Sequence, residues 1–163
     1  MLIKKLLRKF KRFFDFLIGD KSNEIYWRYK SFFSSDWRDG YLDSENEIHP
    51  HRKLLLKKII QTHPIDSILE VGCANGINLR MINKKIPGIT LEGFDINKKA
   101  LREGVNILKR ENITNIKLKH QSAKNLGSYD TGRFDVVFCD AVLMYIGPNN
   151  IKQSLKEMVR ISK

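Results

Sequence analysis

The sequence has few cysteines and no long uninterrupted apolar run. Each of these features restricts the class of protein to which it can belong. Cys73 and Cys139 are the two cysteines among 163 residues, and they lie far apart. This usage predicts free thiols in a reducing cytoplasmic compartment, and no zinc-binding spacing is present. Basic residues interrupt every apolar stretch near the start of the chain, so no transmembrane span is predicted there.

The composition is that of a globular domain with an excess of positive charge. Hydrophobic residues make up 42% and aromatic residues 10% of the chain, which argues against disorder. The net charge of +12 is spread along the sequence and favours an anionic partner, such as a membrane surface, an acidic or phosphorylated substrate, or nucleic acid. No aromatic RNA-binding motif is present, so nucleic acid is not expected.

Residues 1–18 have the pattern of a basic amphipathic helix, with apolar and basic side chains on opposite halves of the helical wheel. Such a helix suits an anionic membrane interface. It could instead pack on its own domain or on a partner. A targeting peptide is a third reading, which the lack of a continuous apolar core and of a small-residue cleavage site disfavours.

Residues 19–47 are expected to form an aromatic-rich extension. Ser22 or Asn23 could cap a helix there. Seven aromatic residues lie between Tyr26 and Tyr41. They could form a lid over a binding pocket, or they could pack as a helical layer. One face of this helix is expected to carry Ile25, Tyr29, Phe32 and Phe33.

A further helix is predicted to open at His49-Pro50-His51-Arg52 and to stop before Pro64. Its apolar face is expected to hold Leu54, Leu55, Ile59 and Ile60. The two histidines could bind a metal, contact a ligand or lie exposed at the helix start. Without further cysteine or acid spacing, no metal site is predicted.

From Ser67 onward, strands and helices alternate, which predicts a parallel sheet. The third strand alternates apolar and charged residues, so we expect it at a sheet edge, whereas the nearly all-apolar fourth strand should be central. The last helix should open at Asn149 or Asn150 and point Ile151, Leu155, Met158 and Val159 inward, with Ile161 as a further candidate for this face. The predicted strands are 67–71, Ile89–Asp95, Asn115–Lys119 and Phe134–Asp140, and the helices between them are about 76–86 and Asn97–Arg110.

The chain is organised around the stretch from Ile68 to Gly76, where a short buried strand turns into a helix through a glycine-containing loop. Such a turn offers backbone N–H groups to a ligand, and glycines allow it to approach closely. Asp95 and Asp140 follow two other strands, and in a parallel sheet these ends meet at one edge. A carboxylate at Asp95 could accept hydrogen bonds from both hydroxyls of a ribose.

The spacing E-x-G-x-A-x-G from Glu70 to Gly76 resembles the first motif of the class I S-adenosylmethionine-dependent methyltransferases. The resemblance covers about residues 48–163. It implies an α/β, Rossmann-like, open and mostly parallel sheet, here of about four strands in the order 3-2-1-4. Flanking helices and an N-terminal helical extension complete the expected fold. A nicotinamide-dependent reductase is disfavoured because the G-x-G-x-x-G fingerprint is missing.

The resemblance also implies which residues bind S-adenosylmethionine. Two of them depart from the family pattern, since Ala74 replaces a glycine and Ser122 replaces an acid. The methionine part is expected at Gly72, Cys73, Ala74 and Gly76, with Glu70 ordering the loop or contacting the amino end indirectly. The ribose is expected at Asp95, the adenine at Ile96, Ser122 and Ala123, and the closing wall at Asp140.

The resulting hypothesis is a methyltransferase whose acceptor is an unidentified small-molecule, sugar or lipid-linked compound. Asp140, His51 and His49 are the candidate bases. The segments His49–Arg52 and Asp140–Pro148 resemble a bacterial branch of the family. The expected location is the cytoplasm, with peripheral attachment to the inner membrane surface through residues 1–18. The alternative is a truncated or inactive cofactor-binding module tethered to a membrane.

The resemblance implies a seven-stranded sheet in the order 3-2-1-4-5-7-6, of which four strands are predicted in these 163 residues. The apolar fourth strand would then present an open edge that invites pairing. We therefore expect a truncated product or fragment with impaired methyl transfer, or a homodimer that pairs fourth strand with fourth strand.

Overall fold

The computed structural model describes residues 20–33, 50–62 and 64–163. The predicted helix at residues 1–18, the part of the predicted extension from residue 34 to residue 47, and His49 lie outside the described residues. The helices are α1 (Asp20–Phe33), α2 (Pro50–Gln61), α3 (Ile77–Lys85), α4 (Lys98–Arg110) and α5 (Pro148–Ile161), with a short 3-10 helix at Leu143–Tyr145. The strands are β1 (Ser67–Val71), β2 (Thr90–Asp95), β3 (Ile116–His120) and β4 (Val136–Cys139).

The four strands form one parallel sheet in the order β3-β2-β1-β4, which confirms the predicted fold class. All five residues of β1 are buried, because strands flank it on both sides and helices cover both faces. Its side chains alternate between two apolar clusters, with Ile68 in one and Leu69 and Val71 in the other. The sheet therefore holds the loop after Val71 on a rigid support.

The two outer strands differ in how well the sequence predicts them. β3 lies at one end of the sheet and alternates as expected, with Lys117 exposed and Ile116 buried. β4 forms the other end of the described sheet, as the predicted order 3-2-1-4 requires, although its apolar pattern alone is typical of a central strand. Three of its four residues are half-buried, since β1 covers one edge and Ser162 pairs in parallel only with Phe134 on the other side.

The helix starts follow capping chemistry in one case and differ from the prediction in another. Asn97 caps α4 as predicted, because its side-chain oxygen accepts hydrogen bonds from the N–H groups of Lys99 and Ala100, both at 3.1 Å. Helix α5 begins at Pro148, one residue before the earlier of the two predicted starts, and Gly147 is its N-cap residue. Proline is favoured there because its missing N–H would have no partner in the helix.

The predicted inward face of α5 is confirmed at Met158 and Ile161 and is wrong at Leu155 and Val159. Ser154, Met158 and Ile161 are buried, and their spacing of four and three residues defines the face that meets the sheet. Leu155 and Val159 lie one position further round the helix, and Val159 is 73% exposed. The apolar pattern alone does not distinguish these two adjacent faces.

Two predictions for the first helices require similar corrections. Helix α1 already includes Asp20, so Ser22 and Asn23 lie within it and do not cap it. In α2, Ile59 is buried as predicted, but Arg52 and Leu56 are buried with it, whereas Leu54 is 57% exposed. A run of three leucines can place any of them on the inner face, and here the packing against α3 selects Leu56.

Candidate functional site

A cavity of about 430 Å³ lies at the carboxyl ends of the strands. Loops that follow all four strands contribute to its wall, together with α1 and the first turn of α2. The structure brings eight of the sequence-predicted site residues to this cavity: His51, Gly72, Ala74, Asp95, Ile96, Ser122, Ala123 and Asp140. Glu70, Cys73 and Gly76, which were also predicted to serve the cofactor, do not line it.

Asp95 is held rigidly by backbone donors of two loops. Its Oδ2 accepts a hydrogen bond from the N–H of Ala74 at 2.9 Å, and its Oδ1 accepts one from the N–H of Asn97 at 2.8 Å. Burial raises the pKa of Asp95 above its ordinary value, and the same backbone donors oppose that rise. A carboxylate offers about four acceptor positions, so lone pairs remain for a ligand's hydroxyls.

The glycines of the loop are needed by the chain itself. A Cβ at Gly72 would lie 2.2 Å from Cγ2 of Val142, and one at Gly76 would lie 3.1 Å from a methyl group of Leu118. Glycine was predicted at these two positions to leave space for a cofactor. The structure gives a further reason, because side chains of the protein itself approach both positions closely. Ala74 adopts a φ of 49°, a conformation that glycine adopts more easily.

Glu70 and Cys73 lie behind the cavity wall. Glu70 is 2% exposed and accepts a hydrogen bond from Nδ2 of Asn78, in the first turn of α3, at 2.7 Å. Its Oε2 has no hydrogen-bond partner among the described residues. Burial raises the pKa of Glu70 to about 8, and burial likewise raises the pKa of the Cys73 thiol, which packs against Gly93.

His51 and Asp140, the two predicted catalytic residues that the structure describes, are in contact. Nε2 of His51 lies 3.3 Å from Oδ2 of Asp140, although 89 residues separate them along the chain. Both side chains line the cavity. Within residues 20–33, 50–62 and 64–163, no group of three or more His, Cys, Asp or Glu side chains is placed to hold a metal ion.

Several cavity residues were not assigned individually from the sequence. Arg52 is 4% exposed and lines the wall, and its burial is signalled only by its spacing to Leu56 and Ile59. Lys124 and Glu24 also line the cavity, with Nζ of Lys124 3.2 Å from Oε2 of Glu24. Of the aromatic residues of the extension, Trp27 lines the cavity and meets Tyr145 edge to face with ring centroids 4.7 Å apart.

Comparison with known protein families identifies the family to which this chain belongs. The sequence profile of a family described as "Methyltransferase domain" matches residues 68–163. The chain belongs to this methyltransferase family. The resemblance to S-adenosylmethionine-dependent methyltransferases that rests on the Glu70–Gly76 spacing is thereby confirmed, and S-adenosylmethionine is the cofactor of this family.

Individual relatives of this methyltransferase domain are distant. An uncharacterized protein of Rickettsia prowazekii (strain Madrid E) is 31% identical over 80 residues, which are 48% of this chain and 31% of that protein. The crystal structure of the YcgJ protein from Bacillus subtilis has a TM-score of 0.58 at 18% identity, covering 71% of this chain and 47% of that one. The N-terminal domain of EvdMO1, solved in the presence of SAH and D-fucose, has a TM-score of 0.61 at 22% identity, covering 70% and 48%.

These structural likenesses concern the fold. The chain spans less than half the length of each of the three proteins. The comparisons therefore assign a family and a fold to the described residues. The activity of the whole protein is the subject of the proposals below.

Proposed function

We propose that this domain binds S-adenosylmethionine in the cavity at the carboxyl ends of the strands and transfers its methyl group to an acceptor. The observation that carries the proposal is Asp95, which faces the cavity and keeps acceptor positions free while two loops fix its orientation. A ribose with two adjacent hydroxyls matches such an acceptor-only group.

The residues present fit the rest of the cofactor as well. Arg52 supplies a buried cation suited to the carboxylate of the methionine part. Ile96, Ser122 and Ala123 would border the adenine, and the loop at Gly72 and Ala74 would follow the methionine part. When bound, S-adenosylmethionine supplies a methyl group on a positively charged sulfur. The residues of the chain position the reactants and exclude water.

Asp95→Ala should weaken the binding of S-adenosylmethionine by about 2–3 kcal/mol, the range for hydrogen bonds to a charged group. That loss corresponds to a roughly 30- to 150-fold higher dissociation constant. Isothermal titration calorimetry measures it, and thermal unfolding shows whether the variant is folded. The matched control is Asp130→Ala, which removes an exposed acid outside the cavity. Equal affinity of Asp95→Ala and the parent would place the cofactor elsewhere.

The acceptor is proposed to be a small-molecule, sugar or lipid-linked compound. A cavity lined by both aromatic and polar side chains supports a compact organic acceptor. The EvdMO1 domain, which shares this fold, was solved in the presence of D-fucose, and this supports a sugar among these alternatives.

We also propose peripheral attachment to an anionic membrane through residues 1–18, and a homodimer that pairs β4 with β4. The first rests on the basic amphipathic pattern of residues 1–18 and the second on the apolar edge of β4. No helix within the described ranges is both long and apolar enough to cross a bilayer.

Sedimentation with phosphatidylglycerol and phosphatidylcholine vesicles tests the membrane proposal. Binding should require the anionic lipid, weaken with salt and disappear when residues 1–18 are deleted. Binding that survives this deletion would rule out the attachment.

Light scattering on the protein alone, without vesicles, tests the dimer. It should give twice the monomer mass, and a monomer would rule out the dimer.

A further inference from the structure

One wall of the cavity is left over when the residues proposed for the cofactor are set aside. It consists of α1, His51 and the segment from Asp140 to Ile146. Trp27 and Tyr145 line this wall and meet at an angle of 64° between their ring planes. Aromatic rings provide large apolar surfaces on which a ring of the acceptor can stack. The shape therefore suits a ring, either an aromatic ring or the C–H face of a sugar.

The wall carries the negative charge of Asp140, whose Oδ2 lies 3.3 Å from Nε2 of His51, and His51 must be neutral if it is to accept a proton. Glu24 of α1 is paired with Lys124 at 3.2 Å. An anionic acceptor would be repelled by Asp140 and would lose part of its own hydration on entering the cavity. An uncharged acceptor avoids both costs, so the wall favours a neutral compound.

The contact between His51 and Asp140 gives this wall a means of accepting a proton. If Nε2 of His51 carries the hydrogen, it donates to Oδ2 of Asp140, and Nδ1 is then the basic nitrogen. A neutral hydroxyl is a weak nucleophile and gains reactivity from a positioned base, whereas a carboxylate acceptor needs none. A histidine oriented by a carboxylate therefore points to a hydroxyl acceptor.

We propose that the acceptor is an uncharged, ring-based alcohol, held against Trp27 and Tyr145, whose proton passes to His51. This inference rests on the proposed methyl-transfer function. The acceptor oxygen forms a bond to the methyl carbon while the carbon–sulfur bond breaks, and the electron pair of that bond stays on sulfur. The hydroxyl proton moves to Nδ1 of His51 and from there to solvent. Asp140 is a positioning residue that orients the imidazole.

Two probes represent the two sources of such a hydroxyl: methyl β-D-galactopyranoside for sugars and catechol for phenols. We expect labelled methyl transfer from S-adenosylmethionine to one of them, which also identifies the source. Benzoate and benzylamine serve as charged ring compounds of similar size. Transfer to benzoate or benzylamine in place of both hydroxyl probes would overturn the proposal.

Two variants distinguish the role of His51 as the base from the role of Trp27 in holding the acceptor. His51→Gln should lower kcat by about 10²- to 10⁴-fold, the usual contribution of a general base, and leave the affinity for S-adenosylmethionine unchanged. Trp27→Leu should raise the KM of the hydroxyl probe at least tenfold and preserve most of kcat. Lys53→Gln, an exposed neighbour of His51 outside the cavity, is the control that should change neither. An unchanged kcat in His51→Gln would contradict its role as base.

A binding readout that needs no turnover completes the test. The chain has two tryptophans, Trp27 and Trp37, so Trp37→Phe makes the fluorescence report on Trp27. Saturable quenching by a hydroxyl probe in the presence of S-adenosylhomocysteine supports the proposal. If calorimetry shows cofactor binding but neither probe quenches Trp27 or receives methyl, the acceptor proposal is overturned while the proposed function stands. Absence of cofactor binding would instead remove the proposed function, and this inference with it.

Discussion

Glu70→Gln is expected to make the folded domain more stable at alkaline pH. Glu70 is fully enclosed behind the first loop, and one of its oxygens has no hydrogen-bond partner among the described residues. Loss of solvation raises its pKa from 4.5 to about 8, and the nearby carboxylates of Asp140 and Asp95 act in the same direction. The hydrogen bond from Asn78 opposes the rise but does not cancel it.

The direction of the pH dependence follows from this raised value. Between 4.5 and about 8 the folded protein holds a proton that the unfolded chain has released, so stability falls as pH rises through this window. Each pH unit is worth 1.36 kcal/mol, so the interval corresponds to at most about 5 kcal/mol. Glutamine has the same shape and no charge, and it can still accept the hydrogen bond from Asn78. The variant should therefore lack this part of the pH dependence.

Urea unfolding at pH 4, 7 and 9 measures the effect. Parent and variant should have similar free energies of unfolding at pH 4, and the variant should be the more stable by several kcal/mol at pH 9. Asp130→Asn, which neutralises an exposed acid, is the control and should not reproduce the difference. Curves for Glu70→Gln and the parent that run parallel from pH 4 to pH 9 would show that Glu70 is not a buried neutral acid.

Four glycine-to-alanine substitutions should distinguish two physical reasons for glycine in this fold. One is a left-handed backbone conformation, and the other is the lack of space for a Cβ atom. Gly127 has free space around it and an ordinary φ, whereas Gly88 has free space and a φ of +89°. Gly93 has an ordinary φ, but its Cβ would lie 2.7 Å from Cβ of Cys73 and from a methyl group of Leu79. Gly72 combines a φ of +77° with a clash against Val142 at 2.2 Å.

The expected changes in the free energy of unfolding follow from these geometries. Gly127→Ala should stabilise by about 0.4–1 kcal/mol through the unfolded state. Gly88→Ala should cost about 1–2 kcal/mol for the left-handed backbone, and Gly93→Ala about 1–3 kcal/mol for overpacking. Gly72→Ala should cost about 2–5 kcal/mol, because it carries both penalties.

Urea unfolding of the four variants under one condition measures this order. Gly72→Ala should be the least stable and should also bind S-adenosylmethionine more weakly, since Val142 must move at the cavity wall. If Gly72→Ala were as stable as Gly127→Ala, the close packing of Val142 over the loop would be wrong.

Local sequence patterns predict those parts of the fold that local chemistry determines. The bounds of β1 match the prediction because its apolar run is short and ends at Gly72. The cap at Asn97 is predictable because the bonds it accepts come from residues two and three positions away. Strand order and the cavity's position follow from the family resemblance and from the rule that parallel strands end at one edge.

The features that the sequence does not predict depend on contacts between distant residues. Asp140 reaches His51 across 89 positions, and Lys124 reaches Glu24 across 100. The need for glycine at position 72 depends on Val142, a residue of another loop. The choice of Met158 over Val159 for burial depends on how α5 rests on the sheet. No periodicity encodes these pairings, so only the three-dimensional structure reveals them.

The central claim is that the edge of the sheet at Gly72 and Asp95 is a site for S-adenosylmethionine. Isothermal titration calorimetry with S-adenosylmethionine, S-adenosylhomocysteine and NADH tests it directly on the unmodified chain. We expect one-site binding of the first two compounds and no heat of binding with NADH, because the loop lacks the dinucleotide fingerprint. Binding of NADH, or no binding of either adenosyl compound, would contradict this assignment of the site.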